Sequence, residues 1–345
     1  MTYEPLVAAT RGDMDESIHF GAVCVVDVDG RIVAAVGDPS VATFMRSSAK
    51  PLQAIPLIES GAADHFRLTP AEIAIAIGSH SGEPKHLETV RSFLAKIGLG
   101  EDSLMCGTHA PFHRPTAKRL EAEGLRASVL HSNCSGKHAG MMALALFRGV
   151  PPEGYFRPEH PVQREILQVV ADMAGIGTEG IRIGVDGCTV PTFGLPLAAS
   201  ARAYARLMEP DGFGAERRLA ARRAVEAMVA HPDLIAGEGR LDTDLMTASD
   251  GRLIAKAGAE GFYTVGFRRN DRGYGLVLKV SDGNNERARA CILLRALEDL
   301  GLLNPDRLAA LAEAHLPPVT DRRGGVVGSV RALFRLKGGV RAQPV

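Results

Sequence analysis

The chain has 345 residues, 46% of them hydrophobic and 23% charged, and 40 Lys+Arg balance 40 Asp+Glu. A net charge of zero removes any general electrostatic argument for nucleic acid or an anionic membrane. No apolar run reaches transmembrane length and residues 1–10 carry no charged n-region, so a cytoplasmic protein is expected. The five cysteines, Cys24, Cys106, Cys134, Cys188 and Cys291, show no C-x-x-C spacing and do not form a disulfide framework.

In chain order, residues 19–28 and 31–36 are apolar-rich segments around Asp29-Gly30, a strong hairpin signal, so two antiparallel strands should open the fold. A helix over 52–59, stopped by Gly61, follows. Thr69-Pro70-Ala71-Glu72 is a capping box with proline at the first helical position, and the helix it starts, through Ile77, is apolar nearly all round. That helix must be buried, yet it leads into the polar loop Gly78-Ser79-His80-Ser81-Gly82-Glu83. Helices are expected at 85–97 and 116–123. The stretch from His131 to Gly140 has seven polar or reactive side chains in ten positions, ahead of an apolar helix at 141–147. Polar groups so placed must be paired, which marks a site. A second loop of this kind, Asp186-Gly187-Cys188-Thr189-Val190-Pro191-Thr192, follows a core strand at 181–185. Helices are read at 163–174, 197–208 and 215–229, strands at 252–256, 261–268 and 274–280, and a last helix at 285–300 before Gly301.

Strands at both ends and helices between them predict an α/β (α+β) fold: one antiparallel sheet from N- and C-terminal strands, flanked by helices, with a helical second lobe. A single domain over 1–345 is expected, its sheet lobe near 1–60 and 250–345 and its helix-rich lobe near 61–249. The absence of alternating βαβ units argues against a doubly wound parallel sheet. The site belongs in the cleft between lobes.

The chemistry centres on Arg46-Ser47-Ser48-Ala49-Lys50-Pro51. One helical turn separates Ser47 from Lys50, so hydroxyl and amine can meet. A lysine can deprotonate a serine once desolvation or nearby positive charge lowers its pKa. With the Ser79 loop and Lys256-Ala257-Gly258 on a late strand, the pattern resembles the penicillin-recognising hydrolases, departing from them at Ser79-His80-Ser81.

The fuller set, Arg46 to Pro51, Ser79-His80-Ser81-Gly82-Glu83, Asn133-Cys134-Ser135-Gly136-Lys137-His138 and Asp186-Gly187-Cys188, is similar to the signatures of the rhizobial-type (class 3) L-asparaginases. That resemblance implies a serine β-lactamase/penicillin-binding-protein-like fold, a homodimer, and hydrolysis of L-asparagine to L-aspartate and ammonia. It makes Ser47 the nucleophile with Lys50 as its base, and Ser79 with Lys256 a second Ser-Lys couple. It also implies zinc held by Cys134, Lys137 and Cys188 with water; His138 is the conventional alternative ligand and Asp186 an alternative fourth one. For an amino-acid substrate, Arg46, His80 and Lys137 can meet the carboxylate, and Asp186 and Glu83 the ammonium. Thr189 departs from the smaller residue of relatives, and a left-handed backbone there would strain a β-branched side chain. Rival expectations are a glutaminase, a penicillin-recognising serine hydrolase, or a non-catalytic amino-acid- or zinc-binding regulator.

Overall fold

The computed structural model describes residues 2–336. Its strands are β1 (Glu4–Arg11), β2 (Met14–Asp27), β3 (Ile32–Val36), β4 (Ala42–Phe44), β5 (Arg182–Val185), β6 (Pro191–Pro196), β7 (Leu253–Ala257), β8 (Phe262–Arg269), β9 (Arg272–Val280), β10 (Val319–Thr320), β11 (Val326–Gly328) and β12 (Val330–Ala332). The main sheet runs β12-β1-β2-β9-β8-β7 with β3 also paired to β2, and all of its pairings are antiparallel. It is the expected sheet of N- and C-terminal strands. Gly30, at φ +89°, closes the predicted hairpin between β2 and β3.

Two parts of the strand set depart from expectation. β1 and the first half of β2 extend the sheet upstream of the predicted hairpin; Met14 to Ile18 is largely exposed, with Asp15, Glu16 and Ser17 in a row, so no apolar pattern marks it as strand. A separate three-stranded sheet, β4-β6-β5, also forms. Its central strand begins at Pro191, inside the loop expected over 186–192; proline is tolerated there as the first residue of a strand.

Helix Leu197–Met208 packs its small residues against the sheet. A β-carbon at Gly275 of β9 would sit 1.9 Å from the Ala201 carbonyl oxygen, so only glycine admits this approach. The capping box forms as read: Thr69 Oγ1 accepts from the Glu72 N–H and Glu72 accepts from the Thr69 N–H, starting helix Pro70–Ile77. Helix Ser135–Phe147 crosses it so closely that a β-carbon at Gly136 would lie 2.3 Å from the Ile75 carbonyl oxygen. The last predicted helix starts at Ala288 rather than at 285, the turn before it being built by the Asn284 side chain, which accepts from the N–H groups of Arg287 and Ala288. Among the described residues, no helix is long and apolar enough to cross a membrane.

Candidate active site

The chain leaves β4 through Arg46, a non-glycine residue at φ +51°, and enters a 3-10 turn, Arg46–Ala49, that continues as helix Lys50–Gln53. Ser48 is fully buried. Its hydroxyl donates to the Lys256 carbonyl at 2.8 Å, the Thr264 hydroxyl donates to the same oxygen at 3.0 Å, and Tyr204 donates to the Ser48 carbonyl at 2.8 Å. These bonds pin the early serine-lysine motif to β7, more than two hundred residues away.

Lys50 is fully buried, and its Nζ reaches the Gly78 carbonyl at 2.6 Å, the Ser79 hydroxyl at 2.9 Å and the Asn133 carbonyl at 3.0 Å. Lys256, equally buried, reaches Ser79 Oγ at 2.8 Å and the Ala257 carbonyl at 3.1 Å. One hydroxyl is thus held between two amines. The one-turn contact expected between Ser47 and Lys50 does not form as a hydrogen bond. A buried amine takes the acceptors that replace its lost water, and they lie on the Gly78-Ser79 and Asn133 segments. Ser47 remains half-buried at the start of the turn.

Burial pushes the Lys256 pKa down to about 7, with the positive charges of Lys50 and Arg240 adding to the fall and Asp242 opposing it. Lys50 is lowered too, by burial first; Cys134 opposes the fall and Lys137 reinforces it. A serine hydroxyl has one proton, so between two amines it donates to one and accepts from the other. The arrangement can therefore move a proton from Lys50 to Lys256 through Ser79 without solvent.

Beside Lys50 lie the two sulfurs. Lys137 donates to Cys188 Sγ at 3.1 Å, and Cys134 Sγ lies 3.3 Å from the side-chain amide of Asn133. The hydrogen bond from Cys188 pulls the Cys134 pKa well below the ordinary thiol value, and Lys50 and Lys137 help against the opposing effect of burial. The same hydrogen bond raises Cys188, and although burial works against it, Lys137 is held above its ordinary value by the sulfurs and Asp186. Cys188 sits in the β5–β6 turn, where Thr189 does adopt φ +80°. Its hydroxyl donates to the Met105 carbonyl at 2.9 Å, which offsets part of the strain foreseen for a β-branched residue.

Two sulfurs and one amine converge here, a donor set suited to zinc. Among the described residues no third His, Cys, Asp or Glu joins the two sulfurs within 4.8 Å, so the third protein donor would have to be Lys137. His138 is turned away: its Nδ1 bonds the Tyr155 hydroxyl at 2.6 Å, and burial holds the ring well below its usual pKa. Asp186 instead accepts from Arg46 at 2.8 Å and from the Gly187 N–H at 2.8 Å. Although burial works against it, Lys137 and Arg46 keep this carboxylate below its ordinary pKa.

His80 cannot serve as the expected cation. Its Nε2 bonds Ser135 Oγ at 2.8 Å, its Nδ1 accepts from the Gly82 N–H, and burial, with the nearby His86 and Lys50, keeps it neutral. Glu83 is likewise engaged, with Lys85 at 3.2 Å and the Glu238 N–H at 2.9 Å. The second contact brings in a segment the sequence reading passed over. Residues 236–240 close over the Ser79 loop: Ser81 donates to the Ala236 carbonyl, and Arg240 reaches Ser81 Oγ at 3.2 Å while lying over the Phe112 ring. No local motif announces that segment, since Gly237 and Gly239 read as ordinary turn glycines.

A family model described as L-asparaginase II matches residues 7–332. No curated protein matches the chain. Among solved structures, Mglu in its native form is 18% identical with a TM-score of 0.44, over 83% of this chain and 66% of its own. A Bacillus glutaminase in the presence of 4.3M NaCl is 15% identical with a TM-score of 0.33, over 77% of this chain and 84% of its own. Matched from β1 through β12, the chain belongs to the L-asparaginase II family, a family of amidohydrolases.

Proposed function

We propose that this protein hydrolyses the side-chain amide of L-asparagine to L-aspartate and ammonia through an acyl-enzyme on Ser47. The observation that carries the reading is Ser79 Oγ, held at 2.9 and 2.8 Å from two buried amines. Ser79 passes a proton from Lys50 to a neutral Lys256, which frees the Lys50 amine. Lys50 then takes the Ser47 proton as the hydroxyl attacks the amide carbon. The departing nitrogen collects a proton back through Ser79, the C–N bond breaks, and ammonia leaves. Water enters by the reverse proton path and releases aspartate. Arg46 and Asp186, already paired at the mouth, exchange their mutual contact for the substrate carboxylate and ammonium.

The same reading gives Cys134, Lys137 and Cys188 as holders of a zinc ion, which would fix the substrate's charged end; it also takes the protein as a cytoplasmic homodimer. Ammonia release from L-asparagine by purified protein is the primary test. Reaction with a diazoketone analogue of asparagine, followed by peptide mass spectrometry, identifies the attacking serine: label on Ser47 is expected, and label on Ser79 would exchange the two roles. Faster release from L-glutamine would make the enzyme a glutaminase instead.

A further inference from the structure

The strand that carries Lys256 is the outer strand of the main sheet, so on its free edge the backbone groups lack a partner strand. At its end a side chain takes the partner's place. Asp242, in the first turn of helix Leu241–Ala248, accepts from the Ala257 N–H at 2.5 Å. The adjoining Ala257 carbonyl accepts from Lys256 Nζ at 3.1 Å. Asp242 is 2% exposed, which makes it an expensive carboxylate to bury unless its charge is used. Positive and polar groups surround it. Arg289 lies with its guanidinium 5.7 Å over the Tyr263 ring, and both Tyr263 Oη and Arg289 Nε are buried without a partner.

We propose that Asp242 is a positioning residue for the reaction: its buried carboxylate holds the end of β7 that places Lys256 at the Ser79 hydroxyl, and its negative charge stabilises the Lys256 ammonium formed when the relay delivers its proton. This rests on the proton relay proposed above. The groups that face Lys256 are Lys50 from the helix after the 3-10 turn, Cys134 from the loop before helix Ser135–Phe147, Arg240 from the segment closing the site and Asp242 from the first turn of helix Leu241–Ala248. Burial, Lys50 and Arg240 favour the neutral amine; Asp242 and Cys134 favour the ammonium. Asp242 is the one of these joined to the lysine's own strand by a hydrogen bond.

Asp242→Asn keeps an acceptor for the Ala257 N–H and deletes the charge. Because Lys256 must begin neutral, kcat/KM rises with pH through its pKa. Without Asp242 that limb should move to lower pH by about one pH unit. Asp242→Ser, smaller and also neutral, gives the same reading should the asparagine variant not fold, and Asp242→Glu, which keeps the charge, should restore the wild-type limb. A neutral variant with an unchanged melting temperature and an unshifted limb would overturn the proposal. The Nζ titration of Lys256, followed by NMR of carbon-labelled lysine and assigned with Lys256→Met, reads the same shift without turnover. If the wild-type protein releases no ammonia from any amide, the functional reading fails while this titration still decides the role of Asp242.

Discussion

At Ser79 a single hydroxyl proton is divided between two lysines, and that division sets what each residue of the site can do. Replacing Ser79 by alanine leaves two amines without a bridge, and turnover should fall by about two to four orders of magnitude with little change in KM. Steady-state kinetics on a variant with an unchanged melting temperature checks it. The pH dependence follows from Lys256. With its pKa near 7, the amine is charged and unable to accept below that value and free above it, so kcat/KM should climb through about pH 7. A flat profile from pH 5 to 9 would remove Lys256 from the proton path. At the sulfurs, Lys137 and Cys188 hold protons that a zinc ion at the proposed site would have to displace. Zinc binding should therefore release about two protons at pH 7, measurable by calorimetry in buffers of different ionisation enthalpy, and Cys188→Ser should weaken it. The types and order of these residues are legible in the sequence, and so is the nearness of Ser47 to Lys50 along the chain. Which hydroxyl Lys50 bonds is not, because a buried amine chooses among acceptors brought from distant segments.

The elements differ in how far their own residues decide them. The Thr69-Glu72 capping box and the Gly30 hairpin close through bonds within a few residues, and both form where the pattern places them. β6 is the opposite case. Its pairing with β4 joins residues about 150 positions apart, although β5 lies only a turn away, and Pro191 disguises its start. The helix Ser135–Phe147 carries the site loop only because Gly136 lets it press on helix Pro70–Ile77. Gly136→Ala would force a methyl group into the Ile75 carbonyl, and stability should fall by about 1–3 kcal/mol as the helices separate. Urea denaturation measures the loss, and a fall in activity beyond the loss of folded protein would show that the spacing also sets the Asn133 contact to Lys50.

On the scale of the whole molecule, the two amines that meet Ser79 lie more than two hundred residues apart along the chain, and the sheet joins them. β2 pairs with β9, β9 with β8 and β8 with β7, while Ser48 bonds directly to the Lys256 carbonyl. β12 pairs with β1 at the other edge. A chain ended after Ser329 would leave β1 unpaired along part of its length, so a lower melting temperature and concentration-dependent association are expected by calorimetry and light scattering. From the sequence alone came the antiparallel sheet built of terminal strands, the family resemblance, and the serine, lysine and cysteine positions, since periodicity, turn chemistry and reactive side chains are local properties. Tertiary structure decided the rest: that Lys50 turns to Ser79, that His80 and His138 are neutral braces, and that Asp242 bonds the strand that carries Lys256. Burial and charge at a point in space are sums over segments far apart along the chain, and only the folded molecule performs that sum.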